Sequence, residues 1–448
     1  MKTKVMTQGS PWKHIVQFAF PVLLGSLLQQ LYNTVDTIIV GNYASEEALS
    51  AVGTTGSFTF LFMAIAIGLS SGNGVVIAQC FGAKDEKGVR ANASTGILFI
   101  LGLGIVASVV SLLSARAAYT HLVAVPTEIL ELTLEYFRIY AVGIFFQFGY
   151  NIFSSILRAV GDSAATLYFL LISSVLNIIL DILFVAGFHW GVAGAAIATD
   201  IAQAGSFVAA YLYMIKKYPV FYFKVGEFTF EKALAWKTIL VGFPIALQLI
   251  VVSFGLTFIQ RAVNGFGKTM VASFTVGQRI EMYINLPCNA FQTTLATYTG
   301  QNIGAQKMER VKKGARQTIL MSVILTICIS ACIWCFAADL CHIFGLSQAA
   351  EEYCFKHLRA IALINIVLSA YIPLFGVFQG SNHPAVPTVV ACCALGTRVF
   401  VVYLLRYSAF LGYSIIWWNG LFGFGIGFTI TWLYYLSGKW HKNATIIT

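Results

Sequence analysis

Charge is scarce in this sequence. Asp, Glu, Lys and Arg together make up 10% of the 448 residues, whereas 58% are hydrophobic. Soluble domains carry about 25% charged residues, and so few charges could not cover a compact globule of this size with polar surface. The scarcity excludes an ordinary soluble protein, and we expect most of the surface to face lipid. A bilayer core of about 30 Å is crossed by about 20 apolar helical residues, which leaves room for roughly a dozen crossings.

Metal-binding and nucleophile motifs are also missing. The seven histidines are scattered along the chain, which argues against a structural or catalytic metal. Cys332 and Cys335 match a CxxC spacing, but they lie in an apolar run, and we interpret them as packing residues. No set of nucleophile and base appears in the apolar runs. We therefore expect no enzyme activity and no cofactor.

Apolar runs bounded by Gly, Pro or charge clusters predict twelve membrane spans and hence an all-α polytopic membrane protein. The spans fall at roughly 15–41, 48–80, 91–114, 128–157, 164–188, 191–215, 235–264, 269–302, 315–338, 353–379, 385–407 and 412–437.

The net charge of +10 has a topological interpretation. Lys and Arg collect in the cytoplasmic loops of membrane proteins, and basic clusters such as Lys84, Lys87 and Arg90 occur here in alternate loops. The other loops carry mainly acidic residues. We expect a multi-pass protein of the cell (inner) membrane with both termini in the cytoplasm, and no nucleic-acid partner.

The two halves of the chain are similar in sequence. Pro21 near the start of span one corresponds to Pro244 in span seven, 223 residues later, and Gly82-Ala83 corresponds to Gly304-Ala305, 222 residues later. Paired repeats of this kind are typical of transporters, with two pseudo-symmetric six-helix bundles and a substrate site between or within them. The predicted divisions are an N-terminal lobe (1–215), a cytoplasmic linker (216–237) and a C-terminal lobe (238–448).

Among the few acidic residues within the predicted spans are Asp36, Asp181, Asp200 and Glu281. An ionised, unpaired carboxylate costs about 2.5 to 3.5 kcal/mol at mid-membrane on insertion scales, so each needs a reason. Counted from the predicted outer span ends at ~1.5 Å per residue, Asp36, Asp181 and Thr199 lie about 8 to 13 Å deep. The common depth allows one shared site.

Spacing supports this grouping. Asn177 and Asp181 are four residues apart and stand on one helix face, and Gln29, Tyr32 and Asp36 form one stripe. Two carboxylates, a carboxamide and the Thr199 hydroxyl would suit a hard monovalent cation, or a proton held by one of the two carboxyl groups. The alternative is that the carboxylates only hydrogen-bond neighbouring helices.

The remaining ionisable residues in the spans are interpreted as structural. Asp200 adjoins Thr199, but successive residues of a helix point about 100° apart, so it faces a different interface. Arg279 and Glu281 are two residues apart and do not face each other. We expect them to pair with polar groups of the second bundle. Spans seven and ten contain no acid, so coupling by carboxylates is expected in the N-terminal half.

Several motifs occur in a fixed order along the chain. They are the stretch from Pro21 through Tyr32-Asn-Thr-Val-Asp36 to Gly41, Ala48-Leu-Ser-Ala-Val-Gly53, Arg158-Ala-Val-Gly-Asp162, Leu176-Asn-Ile-Ile-Leu-Asp181, Gly194-Ala-Ala-Ile-Ala-Thr199 and the two Gly-Ala elements. Together they resemble the multidrug and toxin extrusion (MATE) transporters over nearly the whole chain. Because spans seven and ten contain no acid, the chain is similar to the bacterial DNA-damage-inducible (DinF-like) branch of that family.

The resemblance implies an antiporter that exports organic, often cationic or amphipathic compounds in exchange for Na+ or H+. By that resemblance, four residues match the cation site, where Na+ would bind, and three others match the drug cavity. We expect a monomer, and the substrate and the coupling ion stay open. The alternatives are a flippase for a lipid-linked saccharide or other amphipathic lipid, which would need a basic central cavity, and a passive channel. The cation-site residues are Asp36, Asn177, Asp181 and Thr199, and the cavity residues are Gln29, Tyr32 and Asn151.

Overall fold

The computed structural model describes residues 5–408 and 412–442. That part of the chain contains helices and turns and no strand. The residues of the two termini, 1–4 and 443–448, lie outside it. The helices are α1 (Pro11–Tyr43), α2 (Glu46–Gly82), α3 (Glu86–Ala117), α4 (Thr127–Ala159), α5 (Ser163–Asp181), α6 (Gly191–Lys217), α7 (Lys232–Asn264), α8 (Lys268–Gly304), α9 (Met308–Cys335), α10 (Ala337–Ile343), α11 (Gln348–Ser369), α12 (Ile372–Gly380), α13 (Ala385–Leu405), α14 (Ile415–Leu436) and α15 (Lys439–Lys442).

The helices follow the predicted spans in order. Spans one to nine fall on α1 to α9, span ten on α11 and α12, and the last two on α13 and α14. By length and composition, nine helices in the described part can cross a membrane, and the other predicted spans, on α4, α8 and α14, are also helical. Helices satisfy their backbone hydrogen bonds internally, which lipid requires. The prediction of an all-α polytopic membrane protein is confirmed.

The tenth span is broken. α11 ends at Ser369, and α12 begins at Ile372, with Pro373 in its first turn. Proline lacks a backbone N–H and cannot continue the helix that precedes it. The carbonyl of Ala370, left without a helical partner, accepts a hydrogen bond of 3.2 Å from the indole Nε1 of Trp432. A side chain of α14 therefore stabilises the break.

Contacts divide the chain into two compact units. The first comprises Phe20–Ala246, and the second comprises Met6–Ala19 and the described part of Leu247–Thr448. α1 and α7 each contribute residues to both units. The lobe boundaries at residues 215 and 238 stay predictions of the sequence.

The internal repeat is present in the helices themselves. α1 and α7 are both 33 residues long, and α2 and α8 are both 37. After α2, Lys84 has a φ of 60° and the next N–H bonds to the Cys80 carbonyl at 3.0 Å. After α8, Gln306 has a φ of 57° and the next N–H bonds to the Asn302 carbonyl at 2.8 Å. This pattern closes a helix C-terminus, and it recurs 222 residues later.

A third equivalent position lies after α4 and α12. Gly161 has a φ of 89°, and the N–H of Asp162 bonds to the Leu157 carbonyl at 2.9 Å. Asn382 has a φ of 65°, and the following N–H bonds to the carbonyl of Phe378 at 2.7 Å. A residue in the left-handed region lets the chain turn back on the helix end. The two halves therefore use the same turn at corresponding points, even where the residue types differ.

Candidate functional site

Two carboxyl groups meet in the first unit. Asp181 is the last residue of α5 and is fully buried, and Asp36 on α1 is half-buried. Their carboxyl groups are close enough to interact directly. Both oxygens of Asp181 and Oδ1 of Asp36 are buried and receive no hydrogen bond from another group in the described part of the chain. The pair is thus a set of acceptors without donors.

Asn177 and Thr199 stand next to this pair. Asn177 lies one turn before Asp181 on the same face of α5. Its Nδ2 donates to Oγ1 of Thr199 on α6 at 3.5 Å. Its Oδ1 is buried and, among the described residues, accepts nothing. The structure therefore brings α5 and α6 together at these two residues and leaves a further oxygen without a donor.

An apolar cluster adjoins the site and comes from the same helices. Val40 on α1, Tyr136 on α4 and Val192 on α6 pack together with Val185, which belongs to the π-helical turn Ile182–Gly187 that continues α5. These residues are nearly or fully buried. Such an environment excludes water and lowers the local dielectric constant. A low dielectric constant strengthens the attraction between opposite charges and raises the free energy of an unpaired charge.

Two tyrosines of α4 lie near the site and were not predicted from the sequence. The rings of Tyr136 and Tyr140 stack with their centroids 6.1 Å apart. Tyr136 lies within electrostatic range of Asp36, and Tyr32 on α1 lies within range of both carboxylates and of Tyr140. A signal was present in the sequence, because the polar or small residues 136, 140, 143, 147 and 151 recur every three or four positions on one face of α4.

Asp200 packs against α4 at Gly143. A Cβ at Gly143 would lie 1.9 Å from Oδ1 of Asp200, so only glycine leaves room for this carboxylate. Oδ1 is buried and has no hydrogen-bond partner among the described residues. Asp200 lies within electrostatic range of Tyr140, whose hydroxyl accepts from Nε2 of Gln147 at 3.5 Å. Asp200 therefore faces the side of α4 that carries Tyr140 and Gly143, and it does not face Asn177, the hydrogen-bond partner of Thr199.

Gln29 and Asn151 are not joined to the carboxylates by hydrogen bonds in the described part of the chain. Nδ2 of Asn151 donates to the Gln147 carbonyl in its own helix at 2.8 Å. Both Gln29 and Asn151 are half-buried. Tyr32, the third residue matched to the drug cavity, lies within electrostatic range of both carboxylates.

The motif from Arg158 to Asp162 ends in a structural contact outside the spans. Oδ2 of Asp162 accepts hydrogen bonds from Lys217 (2.8 Å), Tyr218 (2.8 Å) and Tyr213 (3.0 Å). Burial raises the pKa of this carboxyl, but the hydrogen bonds from Lys217, Tyr218 and Tyr213 outweigh it, so the pKa of Asp162 lies below its usual value. Asp162 therefore fastens the start of α5 to the end of α6.

Known proteins are similar to this chain in sequence and in structure. A family model described as MatE matches residues 21–183 and 244–404, two stretches that begin at the repeated prolines Pro21 and Pro244. The chain belongs to the MatE family. The resemblance to multidrug and toxin extrusion transporters is confirmed, and the chain is a member of a family of transporters, not of enzymes.

Relatives with similar sequences match nearly the whole chain. The "Probable multidrug resistance protein YpnP" of Bacillus subtilis is 28% identical over 98% of each chain. The "Probable multidrug resistance protein NorM" of Thermotoga maritima is 26% identical, over 97% of this chain and 94% of the relative.

Solved structures match just as widely. One is described as "Outward-facing conformation of a multidrug resistance MATE family transporter of the MOP superfamily", with a TM-score of 0.91, 25% identity and 98% of each chain covered. Another, a MOP superfamily transporter from Pyrococcus furiosus, has the same TM-score, identity and coverage. The predicted fold of twelve membrane helices in two six-helix bundles is confirmed.

Proposed function

We propose that this protein is an antiporter that exports organic, often cationic or amphipathic drugs in exchange for Na+ or H+. The relatives named as multidrug resistance proteins support the export of drugs. The coupling ion would bind in the first unit, at Asp36, Asn177, Asp181 and Thr199. Because the transported ion is a substrate, no resident cofactor is part of the proposal.

The observation that carries this proposal is that buried carboxylate oxygens of Asp36 and Asp181 receive no hydrogen bond from the described residues. Two neighbouring carboxylates in a buried setting cannot both remain ionised without a positive charge. Neither forms an ion pair with Lys or Arg in the described part of the chain. The positive charge would come from a proton on one carboxyl group, or from a sodium ion bound by both carboxylates and by the oxygens of Asn177 and Thr199.

α1 provides a route from ion binding to drug binding. The helix carries Asp36 and Tyr32 and contains Pro21 in its interior. A proline removes one helical hydrogen bond and allows a bend. Ion binding at Asp36 would change how α1 packs and so lower the affinity for a drug held near Gln29, Tyr32 and Asn151. Because coupling between two ligands is reciprocal, the drug would weaken ion binding by the same factor.

The chemistry of the proposed drug cavity suits organic cations. Tyr32 offers an aromatic face, which attracts a positive charge. The nearby carboxylates of Asp36 and Asp181 add a negative potential when no ion is bound. A cationic drug and the coupling ion therefore compete for the same field, which is the property that an exchange mechanism needs.

The proposal is tested by uptake of a fluorescent organic cation into everted vesicles, which corresponds to efflux from the cell, under an imposed sodium gradient and, separately, a pH gradient. Asp36→Asn and Asp181→Asn are compared with wild type at equal expression. Asp339→Asn, an exposed carboxylate of α10, is the matched control. We expect both site variants to lose gradient-driven efflux and the control to keep it. Undiminished efflux in both site variants contradicts the proposed coupling site.

We also propose that the protein is a monomer of the cell inner membrane with both termini in the cytoplasm. The basic loops at Lys84 and Lys307 would then face the cytoplasm. Labelling of single cysteines at these positions by a membrane-impermeant reagent, in intact cells and in everted vesicles, tests this orientation. No observation favours the flippase alternative, since the relatives are named for drug resistance.

A further inference from the structure

The second unit contains a buried charge cluster of its own. Four helices contribute to it: Glu281 from α8, Asn365 from α11, Arg398 from α13 and Asn419 from α14. Both asparagines are 1% exposed, Arg398 is 8% exposed, and Glu281 is half-buried. Ionisable residues in membrane spans are costly and usually functional. Their convergence from four helices requires a reason.

The stem of Arg398 is held firmly. Its Nε donates to Oδ1 of Asn419 at 2.7 Å. The guanidinium carbon lies 5.0 Å from the ring centroid of Phe424, within range of a cation–π contact. Gly423 provides the space, because a Cβ there would lie 2.3 Å from Cγ of Arg398. The guanidinium is therefore fixed in one orientation, which lowers the entropy cost of binding a ligand to it.

The terminal nitrogens of Arg398 are left without acceptors. Among the described residues, neither of them donates a hydrogen bond, and Arg398 forms no ion pair within 4.0 Å. Glu281 lies within electrostatic range of Arg398, but its carboxylate contacts Asn365. A guanidinium is always charged in proteins and binds a carboxylate through two parallel hydrogen bonds. The cluster thus presents a positive and a negative group that do not neutralise each other by direct contact.

We propose that Arg398 and Glu281 form a binding subsite for zwitterionic amphipathic substrates. Arg398 binds the carboxylate of the ligand through its two terminal nitrogens, and Glu281 binds the ligand's amine or other cationic group. Phe424 and the surrounding apolar span residues contact the hydrophobic body. The inference rests on the proposed drug export and specifies a substrate class for it. A site that contains only carboxylates would repel the anionic group of such a zwitterion.

The experiment measures equilibrium binding of two dyes to the purified full-length protein in detergent. One dye is a rhodamine methyl ester, which is a cation, and the other is the same rhodamine with its carboxylate free, which is a zwitterion. Fluorescence anisotropy gives Kd for each without any ion gradient. Failure of ion coupling would leave these Kd values unaffected, so the two proposals fail independently.

We expect wild type to bind the zwitterion more tightly than the ester. Arg398→Gln should raise the Kd of the zwitterion about ten- to hundredfold and leave that of the ester nearly unchanged, since a hydrogen-bonded charge pair is lost. Arg398→Lys should give an intermediate loss of affinity for the zwitterion, because lysine keeps the positive charge but cannot bind a carboxylate in a bidentate way. Glu281→Gln should weaken both dyes, which share the cationic ring system. Arg261→Gln, an exposed arginine of α7 in the same unit, is the control and should change neither.

Two results would overturn the subsite. Equal affinity of wild type for both dyes would show that the carboxylate is not recognised, and this measurement needs no variant to fold. Equal weakening of both dyes by Arg398→Gln would show that the arginine only supports the packing of α13 and α14. If Glu281→Gln changes neither dye, the assignment of Glu281 to the cationic group is wrong.

Discussion

Nδ2 of Asn177 on α5 lies 3.5 Å from Oγ1 of Thr199 on α6, and this contact joins two helices beside the paired carboxylates. The hydroxyl has a dual capacity, since it accepts from the amide and keeps a lone pair for a cation. The amide is oriented by the same contact. The relationship makes Thr199 the most informative position at which to test the coupling site without altering its charge.

Thr199→Val should weaken binding of the coupling ion about tenfold and leave folding nearly intact. Valine matches threonine in shape but provides neither the acceptor for Asn177 nor an oxygen ligand, and one such bond to a charged group contributes roughly 1.5 kcal/mol or more. The measurement is the sodium or proton concentration that half-saturates drug efflux. Thr133→Val is the control, because among the described residues that hydroxyl bonds only to the Ile129 carbonyl of its own helix. A similar shift in both variants would speak against a special role for Thr199.

Gly143→Ala should lower the stability of the protein by about 1 to 3 kcal/mol, because its Cβ would fall 1.9 Å from Oδ1 of Asp200 and overpacked cores cost this much. The measurement is thermal unfolding of purified protein in detergent. Combining Gly143→Ala with Asp200→Ala removes the clash, so the double variant should recover part of the loss. Strictly additive effects would show that the two residues are not in contact.

Acid should weaken the junction of α5 and α6 through Asp162. The pKa of this carboxyl is lower in the folded protein than in the unfolded chain, so its contribution is complete above the unfolded value and disappears as the pH falls through the folded value. Asp162→Asn should cost on the order of 1 to 2 kcal/mol at neutral pH and should flatten the decline of the melting temperature in acid. Asp339→Asn, which removes an exposed carboxylate outside this junction, is the control. A slope equally steep in Asp162→Asn and wild type would refute this role.

Trp432→Phe should destabilise the break in span ten by about 1 to 2 kcal/mol. The substitution keeps an aromatic side chain but removes the Nε1 donor, so the carbonyl of the half-buried Ala370 loses this hydrogen bond. Thermal unfolding again gives the magnitude. Trp236→Phe, at an exposed position of α7, provides the comparison. If both variants melt at the same temperature, the indole hydrogen bond does not stabilise the break.

Much of the fold could be predicted from the sequence because its signals are local. The length of an apolar run determines whether it spans a bilayer, and the Gly-Ala elements mark corresponding turns in both halves. A proline at position 373 indicates that the helix can bend there, but not that it ends. The corresponding left-handed turns at Gly161 and Asn382 are not evident from the sequence, because the two residues differ and backbone conformation alone relates them.

The candidate site was predicted in part. Helical spacing grouped Asn177 with Asp181, and common depth added Asp36 and Thr199, but the functional roles of these residues stay predictions. Tyr136 and Tyr140 were missed because tyrosines at helical spacing are common in protein cores. The lack of hydrogen bonds from Gln29 and Asn151 to the carboxylates also could not be inferred, since it depends on side-chain orientation.

The sequence by itself determined that this protein lies in a membrane, is helical and is built from two similar halves. Hydrophobicity and periodicity are properties of contiguous residues, so no tertiary information was required. Only the tertiary structure decided which polar side chains of different helices meet. The rotation of each helix about its axis results from packing with its neighbours, and that rotation places Asp200 against Gly143 and Arg398 against Asn419.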